Sequence, residues 1–259
     1  MNNPDLKLNK KTRRERILLE LRLRPHLRTS DLAERFGVTS ETIRRDVTAL
    51  EGAGQVSRDF GGVTATTPGM RPDVETRNRS HLGERERIGR LAAAMVRPDD
   101  LVMIDAGSTT IQFARALAFS ETPVRVITNS VNAAIILGQS RAAHVLLCPG
   151  DFMPAEAAVV GPETIDFLRR FHATQAFVGM SGISERGFSE AVPGFAGVRR
   201  AMLAQSEHLV VMADSHKFGR TDSDLVARFG PDMTLVSDCA PEPDLARAMA
   251  AEGCRLQTA

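Results

Sequence analysis

The chain reads as an α/β protein in two parts: a small winged helix-turn-helix head over residues 1–63 and a larger, mostly parallel α/β body over 83–259, joined by a linker at 64–82. Three observations predict this. Residues 39–63, TSETIRRDVTALEGAGQVSRDFGGV, run a capped helix with paired arginines into a glycine-punctuated ribbon. Residues 64–82 hold Pro68, Pro72, a charged segment at 71–81 and few apolar positions, which is linker composition. Beyond them, short apolar runs end repeatedly in Gly, Asn or Asp and are often followed by a helical pattern, as strands of a parallel sheet do.

In the head, the spacing predicts a first helix over about residues 10–23. Ile17, Leu18 and Leu21 form its apolar stripe, and Lys10, Lys11, Arg13 and Arg14 lie at its start and exposed sides. Pro25 stops it, because proline lacks an amide donor and restricts the residue before it. Thr29 or Ser30 caps a second helix whose Leu32, Ala33 and Phe36 face inward, and Gly37 suits a left-handed C-cap. Thr39 or Ser40 caps the third, with Glu41 in its first turn. Along that third helix Ile43, Val47 and Leu50 follow the core period, leaving Ser40, Thr42, Arg44 and Arg45 on the outer face or its flanks. A helix fits the major groove of duplex DNA with its N-terminal side chains closest to the base edges. Ser40, Thr42 and one of the two arginines are therefore base-reading candidates. The other arginine is a phosphate contact, and the spacing leaves open which does which. Gln55 to Arg58 alternates as a first wing strand, Asp59 to Gly62 turns, and Val63-Thr64 returns; Arg58 is a phosphate or minor-groove candidate, and Phe60 covers the core.

Charge follows the same division. Residues 1–63 carry 13 Lys/Arg against 9 Asp/Glu, and the remainder 20 against 23, so a basic head precedes a mildly acidic body. With 42% hydrophobic residues each part can bury a core, and with no Trp or Tyr its aromatic packing falls to Phe or, less directly, His. Cys148, Cys239 and Cys254 are widely spaced and form no CxxC or Cys/His cluster, which argues against disulfides and structural zinc. No metal site, cofactor or catalytic residue is assigned. The chain has no run of 18 apolar residues and no signal-peptide pattern, so a cytoplasmic protein is expected.

In the body, a helix from Glu84 carries Ile88, Leu91, Ala92 and Met95 on one face and stops at Arg97-Pro98. Strands are expected at 101–104, 124–127, 145–147, 176–178 and 209–212. Their C-terminal ends are Asp105, Asn129, Gly150, Gly179 and Asp214, which a parallel sheet gathers on the edge where open α/β folds bind ligands. After the first strand, Asp105-Ala-Gly-Ser-Thr-Thr110 opens a helix. This brings Gly107, the hydroxyls of Ser108, Thr109 and Thr110, and several backbone N–H groups to a helix N-terminus, a seat for phosphate or another anion. It matches neither a Walker loop nor G-x-G-x-x-G, so no nucleotide site is assigned. Arg199 and Lys217 are the cationic candidates. Pro193 to Gly197 reads as an apolar, glycine-rich lid, and Glu190 is too isolated to rank above a solvated residue.

At these residues the chain resembles the DeoR family of bacterial regulators of sugar metabolism. The likeness rests in the head on Phe36-Gly37-Val38-Thr39, Thr42-Ile43-Arg44-Arg45-Asp46-Val47, Leu50, Gly54, Val56, Arg58 and Gly61-Gly62. It continues through Asp105 to Thr110, Thr128-Asn129-Ser130, Val160-Gly161-Pro162, Gly179 to Ile183, Arg200-Ala-Met202 and Ala213 to Gly219. Phe60 replaces the family's usual wing histidine, Arg199 its lysine and His216 its commoner serine, and the acidic residues usual before Arg199 are missing. The resemblance implies a homo-oligomeric, dimeric or tetrameric, DNA-binding repressor that is not an enzyme. Its ribose-phosphate-isomerase- and CoA-transferase-like sensor would release double-stranded operator DNA on binding a phosphorylated sugar or polyol. The rival readings are a body that only oligomerises and, further off, a sugar-phosphate isomerase.

Overall fold

The computed structural model of the chain describes residues 9–23, 26–52, 56–59, 62–65, 74, 77 and 81–259, and divides into two compact units, Met1–Pro72 and Asp73–Ala259. The expectations for Pro25, Gly54, Gln55, Phe60, Gly61 and most of the linker lie outside the described residues. Of the expected linker, Thr64, Ala65, Val74, Arg77, His81 and Leu82 are described: Thr64 and Ala65 belong to a strand, Leu82 begins a helix, and Val74 and Arg77 are buried.

The first unit contains α1 (Lys10–Leu23), β1 (His26–Leu27), α2 (Thr29–Phe36), α3 (Ser40–Gly52), β2 (Val56–Asp59) and β3 (Gly62–Ala65). The strands form one antiparallel sheet in the order β1-β3-β2. Strand β1 had no expectation, because a two-residue strand carries no alternation to read. The apolar stripes meet as expected: Ile17 and Leu21 of α1, Leu32 and Ala33 of α2, and Ile43, Val47 and Leu50 of α3 close on Val56 and Val63 of the ribbon. Gly37 takes the left-handed conformation (φ 61°), and the Val38 amide returns to the Ala33 carbonyl at 3.0 Å, closing α2. At the other end of α2 the expectation fails. Arg28 occupies the cap position without a side-chain bond, and Thr29 and Ser30 are already helical, the Ser30 hydroxyl lying 3.0 Å from Asp31 Oδ1.

A second correction concerns α1. Arg13 and Arg14 do not simply line its exposed side: their Nε atoms donate to the two oxygens of buried Asp46 on α3, at 2.6 and 2.9 Å. The carboxylate needs both cations because it is 1% exposed, and burying a charge unpaired is costly. This clamp ties the third helix to the first.

The second unit is built on a seven-stranded sheet in which every pairing is parallel. It contains β4 (Leu101–Ile104), β5 (Val124–Thr128), β6 (Ala143–Leu147), β9 (Ala173–Gly179), β12 (Ser206–Met212), β14 (Met233–Ser237) and β15 (Arg255–Thr258). Their spatial order is β15-β14-β12-β9-β4-β5-β6. Successive residues face opposite sides, so Val102, Ile104, Phe177 and Val210 join a core with α4 (Leu82–Ala93), α5 (Ser108–Ser120) and α6 (Val131–Leu137). Met103, Ala176, Val178 and Val211 join a second core with α7 (Pro162–Leu168), α8 (Phe195–Ala204) and α9 (Pro243–Ala251). Helices thus cover both faces, as an all-parallel sheet requires. Helices α4 and α5 approach so closely at Gly89 that a Cβ there would lie 2.7 Å from the Phe113 amide nitrogen.

Two small antiparallel sheets decorate the C-terminal edge: the hairpin β7 (Asp151–Met153) and β8 (Ala158–Val160), and the group β10 (Gly182–Ser184), β11 (Gly187–Glu190) and β13 (Asp224–Ala227). The expected lid at Pro193 to Gly197 is instead the start of α8. Gly194 caps it at φ 89°, and Phe195 and Ala196 are buried. Among the described residues no helix is long and apolar enough to cross a membrane.

Candidate functional site

On the head, Thr39 sets the start of α3 by accepting the Thr42 amide at 3.2 Å. Its hydroxyl also lies 2.9 Å from the Thr42 hydroxyl, so Thr42 is half-buried and part of the cap as well as a candidate contact. Ser40, Arg44 and Arg45 are exposed on the same turn and the next. Arg45 keeps 79% of its side chain in solvent and pairs only loosely with Glu41, at 3.3 Å. Arg58 lies in β2 opposite Val63. Three of the expected contact residues are therefore presented outward by a helix whose other face is locked into the core.

On the body, the sheet order sets four strand ends side by side. Asn129 follows β5, Asp105 follows β4, Gly179 ends β9, and Asp214 lies two residues beyond β12. Asp105 is 2% exposed. Its Oδ1 accepts the Gly179 amide at 3.1 Å and its Oδ2 accepts Arg199 Nε at 2.5 Å. Burial pushes its carboxyl up to about 6, against the pull of Arg199 and of the Gly179 amide. Immediately after it, the N-terminus of α5 aligns the amides of buried Ser108, Thr109 and Thr110, which have no carbonyl one turn behind them. The Thr110 hydroxyl is spent on the Gly107 carbonyl at 2.8 Å.

Arg199 is not the open anion fork that its sequence position suggested. It is 3% exposed. It donates through Nε to Asp105 and through Nη1 to Glu190, points Nη2 toward the Ala106 carbonyl at 3.5 Å, and lies over the Phe195 ring. Two carboxylates already oppose its charge. Glu190 corrects the expectation of a solvated residue: it is fully buried. Besides Arg199 it accepts the Ser181 hydroxyl at 2.5 Å and the amides of Ala191 and Val192 at 2.8 and 2.7 Å. No local sequence signal marks it, since its partner stands nine positions later on another element.

Asp214 accepts Arg85 Nε at 2.9 Å through Oδ2. Burial alone would raise its carboxyl, but Arg85, Lys217 and His216 together hold it below the ordinary carboxylate value. Its Oδ1 is buried and accepts no hydrogen bond among the described residues, with His216 Nδ1 at 3.4 Å. Lys217 stands half-buried in the short turn 215–217, its amide on the Asp214 carbonyl at 3.0 Å. Asn129 mirrors Asp214: its Nδ2 donates to the Val159 carbonyl at 3.0 Å, while its buried Oδ1 has no hydrogen-bond partner among the described residues.

Gly150 does not join these residues as expected. It lies exposed in the loop between β6, an edge strand, and β7. A Cβ there would strike Thr164 Oγ1 at 2.2 Å and the Val160 carbonyl at 2.6 Å, so its glycine serves packing. Arg85 was missed although a signal existed. It falls three and seven residues before Ile88 and Ala92, on the buried stripe of α4, where a charge needs a partner. Arg77 and Glu156, a buried ion pair, had no local signal.

Comparison with known proteins places this geometry. A model of the DeoR C terminal sensor domain matches residues 80–239, and one of the DeoR-like helix-turn-helix domain matches residues 13–68. The chain is 29% identical to the putative aga operon transcriptional repressor of Escherichia coli O157:H7, over 90% of this chain and 88% of that one. It is 29% identical to the glycerol-3-phosphate regulon repressor of Escherichia coli K12, over 82% and 84%. It is 30% identical to the HTH-type transcriptional repressor GlcR of Bacillus subtilis 168, over 87% of each. A ribose 5-phosphate isomerase from Methanocaldococcus jannaschii aligns at a TM-score of 0.38 and 18% identity over 54% of this chain and 55% of that one, too distant for its chemistry to be carried over. A DNA-binding helix and its ribbon, followed by an all-parallel α/β body matched along most of its length, leave one assignment: the chain belongs to the DeoR family of transcriptional regulators.

Proposed function

We propose that this chain represses a carbohydrate-metabolism operon and leaves its operator when a phosphorylated sugar or polyol binds at the C-terminal edge of the seven-stranded sheet. The observation that carries the sensor half is a pair of buried acceptors that take no hydrogen bond among the described residues, Asn129 Oδ1 and Asp214 Oδ1, the latter 3.4 Å from His216 Nδ1, at the ends of β5 and β12. A buried acceptor without a donor costs about 1–3 kcal/mol, and hydroxyl groups of a polyol supply donors. Asp105 and Gly179 form the floor between them. The first-turn amides of α5 and the Lys217 ammonium offer a seat for the phosphate. Arg199 holds the floor together instead of touching the ligand.

On the head, Ser40, Thr42, Arg44 and Arg45 are the proposed DNA contacts, joined by Arg58 of the ribbon. One such head has limited affinity, so the reading includes a homo-oligomer that spaces two heads for paired half-sites, with effector binding favouring a spacing that fits them badly. The names of the relatives, which include repressors of an aga operon and of a glycerol-3-phosphate regulon, support sugar or polyol metabolism as the setting.

The test is a thermal-shift screen of the purified chain against phosphorylated sugars and polyols beside their unphosphorylated forms, followed by DNA-binding titrations with any hit. A shift from one phosphate, absent for its free form and accompanied by weaker DNA binding, is the expected result. Stabilisation by none of them, with intact DNA binding, would refute the sensor half.

A further inference from the structure

We propose that Arg77, paired with Glu156, is the coupling residue that carries occupancy of the sheet edge to the chain segment leading to the DNA-binding head. The inference rests on the sensor reading above and concerns residues outside both proposed contact sets.

Arg77 stands five positions after Pro72, where the first compact unit ends. It is buried, as is Glu156, and the two form an ion pair. From Arg77 two connections run to Asn129 and Asp214. Along the first, the Arg77 carbonyl accepts a hydrogen bond from Arg85, whose Nε donates to Asp214 Oδ2 at 2.9 Å; Asp214 Oδ1 takes no hydrogen bond among the described residues and lies 3.4 Å from His216 Nδ1. Along the second, Glu156 lies in the short helical turn between β7 and β8, and the next residues are zipped to the segment that carries Asn129. The Val131 amide donates to the Ala157 carbonyl at 2.9 Å, the Val159 amide to the Asn129 carbonyl at 2.8 Å, and Asn129 Nδ2 to the Val159 carbonyl at 3.0 Å.

A ligand that donates to Asn129 and Asp214 therefore pulls on both connections at once, and both end on Arg77. These links are directional hydrogen bonds and an ion pair, most of them between buried residues. Such contacts switch between discrete arrangements instead of yielding gradually, which is what transmission over a distance needs. A purely structural ion pair would behave differently, because replacing both buried charges by apolar side chains of similar volume is commonly tolerated.

The test uses the full-length chain, operator DNA selected from a random duplex library with the wild-type protein, and sn-glycerol 3-phosphate, glucose 6-phosphate and sorbitol 6-phosphate as probes. Three quantities are measured: the probe Kd without DNA, the DNA Kd without probe, and the DNA Kd at saturating probe. The variants are Arg77→Met alone and Arg77→Met combined with Glu156→Leu, the double change guarding against a misfolded single variant with an orphaned carboxylate. Effector coupling of regulators spans about 5–150-fold in affinity. In the double variant we expect the first two constants within threefold of wild type and the release factor reduced to below twofold. Wild-type release factors in the double variant would overturn the proposal while leaving the sensor reading intact. Loss of probe binding or of probe-free DNA binding in the double variant would also overturn it, because the pair would then be scaffold. Absence of release in the wild type by every probe would instead count against the sensor reading itself, and this inference would fall with it.

Discussion

Replacing Asp46 with alanine should destabilise the head while leaving the body intact, although Asp46 faces the α1 arginines and not the outer surface of α3. The carboxylate is 1% exposed and accepts from Arg13 at 2.6 Å and from Arg14 at 2.9 Å. Hydrogen bonds to charged groups contribute about 1.5–3 kcal/mol each. The Arg13 and Arg14 side chains are 12% and 26% exposed, so both recover some hydration once the carboxylate is gone. That places the net loss near 3 kcal/mol, the lower end expected when one partner of a buried ion pair is removed. A head of roughly 60 residues has about 3–9 kcal/mol in total at typical stability per residue. Hydrogen exchange of the intact protein reads this directly, with peptides from α1 and α3 compared against β4 and β9 as internal controls. A loss of about 3 kcal/mol is a roughly hundredfold acceleration in the head peptides, with the body unchanged. Asp46→Asn, which keeps shape but not charge, should lie between. Head protection within twofold of wild type in Asp46→Ala would refute the clamp as the element that seats the third helix.

Three further outcomes follow from the same geometry. Arg44→Ala or Arg45→Ala should weaken binding to a selected operator by about 1–3 kcal/mol without moving the melting temperature; full-strength binding by both would remove α3 as the reading helix. The folded Asp105 carboxyl titrates at about 6 against an ordinary 3.8, so between those values the folded state holds a proton that the unfolded chain has released, and stability falls as pH rises. At 1.36 kcal/mol per unit this amounts to about 3 kcal/mol across the window. Urea unfolding of wild type and Asp105→Asn from pH 4 to 7 should show the variant lacking that decline, and parallel profiles would dismiss it. Gly89→Ala should cost about 1–3 kcal/mol by overpacking, since its Cβ meets helix backbone at Gln112 and Phe113, and an unchanged denaturation midpoint would show that α4 and α5 can part freely.

The parts legible in the sequence share one physical property: each depends on neighbours in the chain. The stripe Ile43, Val47, Leu50 is a period, the Gly37 stop is a local backbone conformation, and the run Leu101 to Ile104 before Asp105 is a strand with its end marked. Parallel strands add one long-range consequence without further information, because their C-terminal ends share an edge. That is why Asp105, Asn129, Gly179 and Asp214 were found together. Charge pairing has no such regularity. Arg199 reaches Asp105 across 94 positions and Glu190 across nine, and the pairing depends on β9 lying beside β4, which a list of strands does not state. The same gap hid Arg13 and Arg14 on Asp46. Where the sequence did carry a hint, as with Arg85 on an apolar stripe, the hint was a charge in a place that cannot leave it unpaired.

The pairing also bears on how the sensor discriminates. Three buried arginines crowd this edge, yet Arg199 is opposed by Asp105 and Glu190, Arg85 by Asp214, and Arg77 by Glu156. On the proposed reading, a phosphate there is held by helix amides and an ammonium, which accept an anion from a range of directions, and not by a guanidinium fork with one preferred geometry. The demanding contacts fall instead on Asn129 and Asp214, whose Oδ1 atoms are fixed at separate strand ends by the Val159 carbonyl and the Arg85 guanidinium. Rigid acceptors that must both be satisfied reject a ligand whose hydroxyl is missing or inverted, because the unmet acceptor stays buried. Selectivity should therefore lie in the hydroxyl pattern of the effector more than in its anionic group.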